Sequence, residues 1–200
     1  MHALLLTDIQ YDFLPGGALA VPRGDEVIAV AARLARSGAY HAIVATQDLH
    51  PPHHGSFASQ HPGRLPYSQG MLEGLPQTLW PDHCVAGTRG AALVDDLDLS
   101  QIAAVVPKGE DPLIDSYSGF FDNARRKKTT LEDTLRGLGI TVIDVVGLAT
   151  DYCVRATVLD ALELGFRVRV HVEGVRAVDL VEGDGMRALE AMHRAGATLI

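Results

Sequence analysis

Three residues far apart in the chain, Asp8, Lys108 and Cys153, carry the groups that acyl transfer from an amide requires: a proton acceptor, a cation and a sulfur nucleophile. Cys153 stands in Gly147-Leu148-Ala149-Thr150-Asp151-Tyr152-Cys153-Val154, where an apolar run gives way to a helical pattern. A thiol in the first turn of a helix lies near unpaired N–H groups and the positive end of the helix dipole, both of which favour thiolate. Such sites reach pKa values of roughly 3.5 to 7.5, against about 8.5 for a free cysteine, so a thiolate at neutral pH is expected. Moving a proton from an unperturbed cysteine to an unperturbed aspartate costs about 6 kcal/mol. Burial of Asp8 and the cation of Lys108 beside the sulfur would narrow that gap. Lys108 also favours the Asp8 anion, so its expected service is to balance the thiolate and hold Asp8 in place. Taken singly, each residue has a plainer reading: a packed thiol, a turn cap and a solvated amine.

A second constellation is Asp48-Leu49-His50, with His54 and His83 further along. A carboxylate and imidazoles converging on one point suit zinc, iron or manganese, without choosing among them. Asp-x-His is common by chance in a chain with nine histidines, and surface or turn histidines are the alternative. Cys84 adjoins His83 but reads as a packed thiol. Aromatic residues lie close to these polar groups in sequence: Phe13 after Asp8, Trp80 before His83 and Tyr117 after Lys108. They suggest walls for a small, flat substrate.

The elements that must position these groups follow from hydrophobic patterning. Short aliphatic runs at Ala3–Thr7, His41–Thr46, Ala103–Pro107, Thr141–Gly147, Arg167–Val172 and Ala197–Ile200 predict six strands. Helical patterns lie between most of them: one follows the cap candidate Asp25, one opens with the capping box Thr129-Thr130-Leu131-Glu132, and others cover Tyr152–Leu164 and Met186–Arg194. This alternation predicts a three-layer α/β/α fold around a six-stranded, mainly parallel, doubly wound sheet. Ligands of such sheets bind outside the carboxyl ends of the strands, which is where Asp8, Asp48, Lys108 and Cys153 fall. Residues 49–100 break the alternation with Pro, Gly and His and no clear period, and coordination of a metal would explain how so long a loop is ordered.

Length and composition limit the classes. Two hundred residues suit one domain spanning 1–200, with 49–100 as its metal-site loop region. Two cysteines, and no charged-then-apolar leader, read as a cytoplasmic protein with reduced thiols. No apolar run suits a membrane span, and a net charge of -8 with scattered basic residues argues against nucleic acid. The Arg125-Arg126-Lys127-Lys128 cluster reads as a solvated turn, and a homo-oligomer is allowed by everything in the sequence.

Seven segments resemble the nicotinamidases (nicotinamidase/pyrazinamidases) of the isochorismatase-like cysteine hydrolases: Asp8 to Phe13, Thr46 to His50, His54 to Ala58, Leu75 to Val85, Lys108-Gly109, Asp115 to Phe120, and the cysteine segment. The resemblance implies that Asp8, Lys108 and Cys153 form a catalytic triad. It implies a divalent metal, with zinc the first choice and iron or manganese the alternatives, on Asp48, His50 and His83, with His54 a more variable fourth ligand or water partner. It further implies Phe13 and Trp80 on either side of a pyridine ring, Tyr117 at the pocket border, a cis peptide between Leu148 and Ala149, and an oxyanion hole from the N–H groups of Ala149 and Cys153. Leu49, where many relatives carry an aromatic residue, and the extra imidazole of His53 depart from the pattern. The expected reaction is hydrolysis of nicotinamide to nicotinate and ammonia through a cysteine thioester, with pyrazinamide as a second substrate. Rival readings are a related amidase for a carbamoyl or ureido compound, a dinucleotide-binding oxidoreductase and a non-catalytic metal-binding module. Against the oxidoreductase, Asp8-Ile9-Gln10 stands where a Gly-rich turn is required.

Overall fold

Each predicted aliphatic run becomes a strand, because an all-parallel sheet covered on both faces needs side chains that are apolar in both directions. A computed structural model describes the backbone of residues 1–200 and every side chain except that of Leu99. Its strands are β1 (His2–Thr7), β2 (Ala42–Asp48), β3 (Gln69–Leu72), β4 (Leu75–Thr78), β5 (Ile102–Lys108), β6 (Val142–Leu148), β7 (Arg167–Arg176) and β8 (Thr198–Leu199). Six of them form one sheet in the order β5-β2-β1-β6-β7-β8, with every neighbouring pair parallel. Strand order runs one way from β1 through β2 to β5 and the other way from β6 through β7 to β8. The switch point is therefore between β1 and β6, whose carboxyl ends lead to Asp8 and toward Cys153.

The helices are α1 (Glu26–Ala35), α2 (Leu131–Gly137), α3 (Arg155–Glu163) and α4 (Asp184–Arg194). Leu4 and Leu6 pack with Val27, Ala31 and Leu34 of α1 on one face of the sheet. Ala3 and Leu5 pack with Leu131, Leu135, Val158 and Met192 of the other three helices on the opposite face. Alternate residues of β1 thus serve the two halves of the core, which fixes the three layers. Close approach of β6 to β1 depends on Gly147, where a Cβ would lie 2.0 Å from the Thr7 carbonyl oxygen.

Local expectations are corrected in several places. Asp25 has helical dihedrals and makes no side-chain cap bond. The capping box is replaced: Thr129 Oγ1 accepts the Leu131 N–H at 3.1 Å and donates to the Gly119 carbonyl, while Glu132 pairs with Arg136. The third helix begins with a π turn over Thr150–Val154. Residues 49–100 contain short 3-10 turns and the antiparallel β3–β4 hairpin, so they are not without elements. The hairpin turns at Glu73-Gly74, both at positive φ, and Glu in that position together with Pro76 in the return strand hid it from pattern reading. Among the described residues, no helix is long and apolar enough to cross a membrane.

At the amino end of the sheet, Asp144 of β6 is enclosed and accepts from Tyr40 at 2.9 Å and from Arg169 at 2.6 and 2.7 Å, with His2 and His171 ring nitrogens at 2.7 and 2.8 Å. These donors, after burial is offset, hold its carboxyl far below the usual range. A depressed carboxylate contributes stability that is present above its unfolded value near pH 4 and lost as pH falls toward its folded value. Asp144→Asn is expected to cost about 3 kcal/mol at pH 7, read by urea denaturation. The gap between wild type and variant should shrink below about pH 4.

Candidate active site

The strand ends gather the candidate groups into one buried cluster. Asp8, immediately after β1, turns the chain with φ +49, and Thr46 of the neighbouring β2 accepts its N–H at 3.2 Å and donates to its carboxylate at 2.5 Å. Asp48 and Lys108 are opposite each other in the β2–β5 register. The Lys108 ammonium, with no exposed side-chain surface, lies 3.0 Å from Asp8 Oδ2 and 2.9 Å from Asp48 Oδ1. It also donates to the Ser116 carbonyl at 2.8 Å and reaches Cys153 Sγ at 3.5 Å. All three candidate catalytic residues therefore stand together.

Electrostatics correct one expectation. Burial pushes the Cys153 thiol well above the ordinary range, and Asp8 and Asp48 push it further, outweighing the opposing pull of Lys108. The resting group is a thiol, not the thiolate that a helix N-terminus alone suggests. Burial also raises Asp8, against the lowering effect of Lys108. Lys108 is raised well above its usual value because Asp48 and Asp8 outweigh its own desolvation. At rest the proton is thus on sulfur, beside a cation that keeps its charge.

Asp48 connects this cluster to the histidines. Its other oxygen lies 3.1 Å from His50 Nε2 and 3.5 Å from His83 Nε2. His50 Nδ1 is 2.7 Å from the Gly109 carbonyl and His83 Nδ1 is 2.8 Å from that of Pro81, so each ring holds its proton at Nδ1. In neutral rings, two lone pairs then face an acceptor oxygen, an arrangement that calls for a cation. His50 Nε2 is buried without a hydrogen-bond partner. A carboxylate and two imidazoles suit zinc, iron or manganese, so these residues fit a divalent metal. Gly109, at φ +72, leaves room for this cluster: a Cβ there would lie 2.6 Å from His50 Cε1 and 2.8 Å from Asp48 Oδ1.

His54 behaves differently. It does not join Asp48 and His83 but groups with His50 and Asp115. Its Nδ1 accepts the Ser56 N–H at 3.2 Å and faces Ser56 Oγ at 2.7 Å, which places the ring proton on Nε2. Burial and neighbouring His50 lower its pKa to about 4, so the ring is neutral and Nε2 is a buried, unpartnered donor. A buried Nε2 without a protein partner fits the water-partner role expected of His54, and its grouping with His50 and Asp115 leaves the fourth-ligand role in place as well. His53 is exposed, Leu49 packs at the edge of the core, and Cys84 is buried outside the ligand group, as a packed thiol.

A narrow cleft opens over these groups, lined among others by Phe13, Trp80, Tyr117, Ala149 and Cys153. The Leu148–Ala149 peptide is cis. Sequence reading missed Leu19, Asp115, Tyr152 and Val178 as lining residues. Tyr152 was signalled only by its position next to Cys153, and its ring meets Trp80 edge-on at 4.8 Å. Gln10 was also missed: its amide donates to the Asp48 carbonyl and accepts the Asp48 N–H, both at 2.8 Å, clamping that residue. The basic cluster at 125–128 is neutralised by Asp160, Glu163, Glu73, Asp111 and Asp133.

The family model described as the Isochorismatase domain matches residues 2–200. The chain belongs to the isochorismatase family. Within that family it is 56% identical to the nicotinamidase of Escherichia coli (strain K12), over 99% of this chain and 93% of the relative. The solved nicotinamidase/pyrazinamidase of Acinetobacter baumanii superposes with TM-score 0.94 at 39% identity, covering 100% of this chain and 95% of that one. A pyrazinamidase of Pyrococcus horikoshii solved in complex with zinc is 38% identical with TM-score 0.81, covering 100% and 98%.

In this isochorismatase-family chain the raised thiol has a direct consequence. Alkylation of Cys153 in the resting protein should be slow at pH 7 and accelerate only at a higher pH than for a free cysteine. Lys108→Met should shift that profile further upward, because it removes the cation that favours thiolate.

Proposed function

We propose that this chain is an amidohydrolase that converts nicotinamide to nicotinate and ammonia, and that it also accepts pyrazinamide, through a thioester on Cys153. The observation that carries the reading is the burial of Asp8, Lys108 and Cys153 in one hydrogen-bonded cluster at the floor of an aromatic cleft. One domain spanning residues 1–200 does the chemistry, and 49–100 contributes His83 and Trp80.

Phe13 and Trp80 hold the flat ring from either side, with Tyr117 at the border, so that the carboxamide lies against Cys153. Asp8 takes the thiol proton as sulfur attacks the carboxamide carbon, and Lys108 balances the negative charge that the cluster then holds. The N–H groups of Ala149 and Cys153 stabilise the tetrahedral oxyanion, a service worth about 3 kcal/mol per donor. Asp8 returns the proton to the nitrogen, the C–N bond breaks, and ammonia leaves. Water, deprotonated by Asp8, attacks the thioester carbonyl; nicotinate leaves and sulfur recovers its proton.

Asp48, His50 and His83 hold a divalent metal, with zinc the first choice on the strength of the Pyrococcus horikoshii relative solved with zinc. When bound, the metal supplies a positive charge that orients the ring nitrogen. His54 donates its Nε2 proton to water beside that site.

A related amidase acting on a ureido compound is disfavoured, because such a substrate would leave the aromatic walls without a ring to hold. Ammonia release from nicotinamide should vanish in Cys153→Ala, and an active variant would end the proposal. Stripping the metal with a chelator is expected to raise KM about tenfold or more while changing kcat less, if the ion serves orientation.

A further inference from the structure

Asp12 takes no part in the chemistry proposed above, yet it lies under the histidine cluster. Its Oδ2 accepts the Cys84 N–H at 2.7 Å, across 72 positions of sequence, and its Oδ1 accepts the Ala18 N–H at 3.2 Å. Cys84 immediately follows His83, and its carbonyl accepts the His50 N–H at 2.9 Å. One residue is thus joined to both histidines, by the chain on one side and by a hydrogen bond on the other. Cys84 holds φ +47, a left-handed conformation that a residue with a Cβ avoids at a cost of about 1 kcal/mol or more. Something must hold it there, and the carboxylate of Asp12 is bonded to its amide.

The slot for Asp12 is cut to size. Its own N–H donates to the Gly90 carbonyl at 3.0 Å, and a Cβ on Gly90 would lie 2.1 Å from Asp12 Oδ2 and 2.3 Å from Oδ1. The two N–H donors meet two different oxygens. An asparagine offers one acceptor oxygen, so its amide NH2 would face an N–H at one of the two positions.

We propose that Asp12 is the positioning residue of the metal cluster: through Cys84 it sets His83 and His50 against Asp48. The inference rests on the metal reading given above. Asp12 also precedes Phe13, so the same turn carries one wall of the cleft and the support of the ligands.

The test is zinc affinity of the full-length protein, stripped by a chelator and titrated against a competing indicator. Asp12→Asn and Asp12→Ala should each weaken zinc binding about 10- to 100-fold, with activity recovering as zinc is raised. Gly90→Ala, which keeps the carboxylate but intrudes on it, should do the same, and it serves if Asp12→Asn does not fold. Arg89→Ala removes the surface contacts to Tyr11 and Asp95 in the same loop without touching Asp12, and should stay within about twofold of wild type. Wild-type affinity in Asp12→Asn, or equal weakening in Arg89→Ala, would overturn the inference alone. Failure of the unsubstituted protein to take up zinc would overturn the metal reading and the inference with it.

Discussion

The ammonium of Lys108 is sealed from water between Asp8 and Asp48, and the rest of the site is arranged around it. A buried cation without partners is prohibitively costly, whereas one bonded to two carboxylates and a carbonyl is held rigidly. Because Asp8 belongs to the thiol side and Asp48 to the histidine side, this one group joins the two halves of the site. Either carboxylate left alone beside the other would be repelled. With Lys108 between them, both sit within 3.0 Å of the one ammonium that also reaches the sulfur.

The sheet makes that juxtaposition inexpensive. Parallel strands present their carboxyl ends on one edge, so residues as far apart in the chain as Asp8 and Cys153 need only follow the right strands to meet. Asp48 and Lys108 face one another in register, and the close contact at Gly147 brings β6 against β1. The apolar faces of α1 on one side and of α2, α3 and α4 on the other hold the sheet in place. The reactive groups therefore ride on the most rigid part of the fold, while the segment 49–100 delivers His83 and Trp80 over the top.

Much of this was legible in the residues. The strands were visible because buried parallel strands are uniformly aliphatic, and the candidate groups Asp8, Lys108, Cys153, Asp48, His50 and His83 were visible through strand-end placement and the segments that resemble the nicotinamidases, not through residue type alone. What could not be read was the consequence of burial. The dipole argument for Cys153 assigned a thiolate, and burial of the sulfur, with Asp8 and Asp48 adding to it, reverses that. His54 was expected as a fourth ligand or a water partner, and its grouping with His50 and Asp115 instead of Asp48 and His83 is a placement that spacing alone does not give. The β3–β4 hairpin, built on Glu73-Gly74 with Pro76 in its return strand, lacked the alternation that marks a strand. Gln10 and Asp12 act through backbone atoms distant in sequence, a kind of contact that residue type does not announce.

The most direct test of the shared pocket is covalent: mass spectrometry of protein quenched with acid during turnover of nicotinamide, followed by peptide mapping. The account requires one pyridinecarbonyl group, carried on the peptide containing Cys153 and absent before substrate is added. An active enzyme whose sulfur stays unmodified under rapid quenching, or whose acyl group resides on Cys84 or elsewhere, would contradict it.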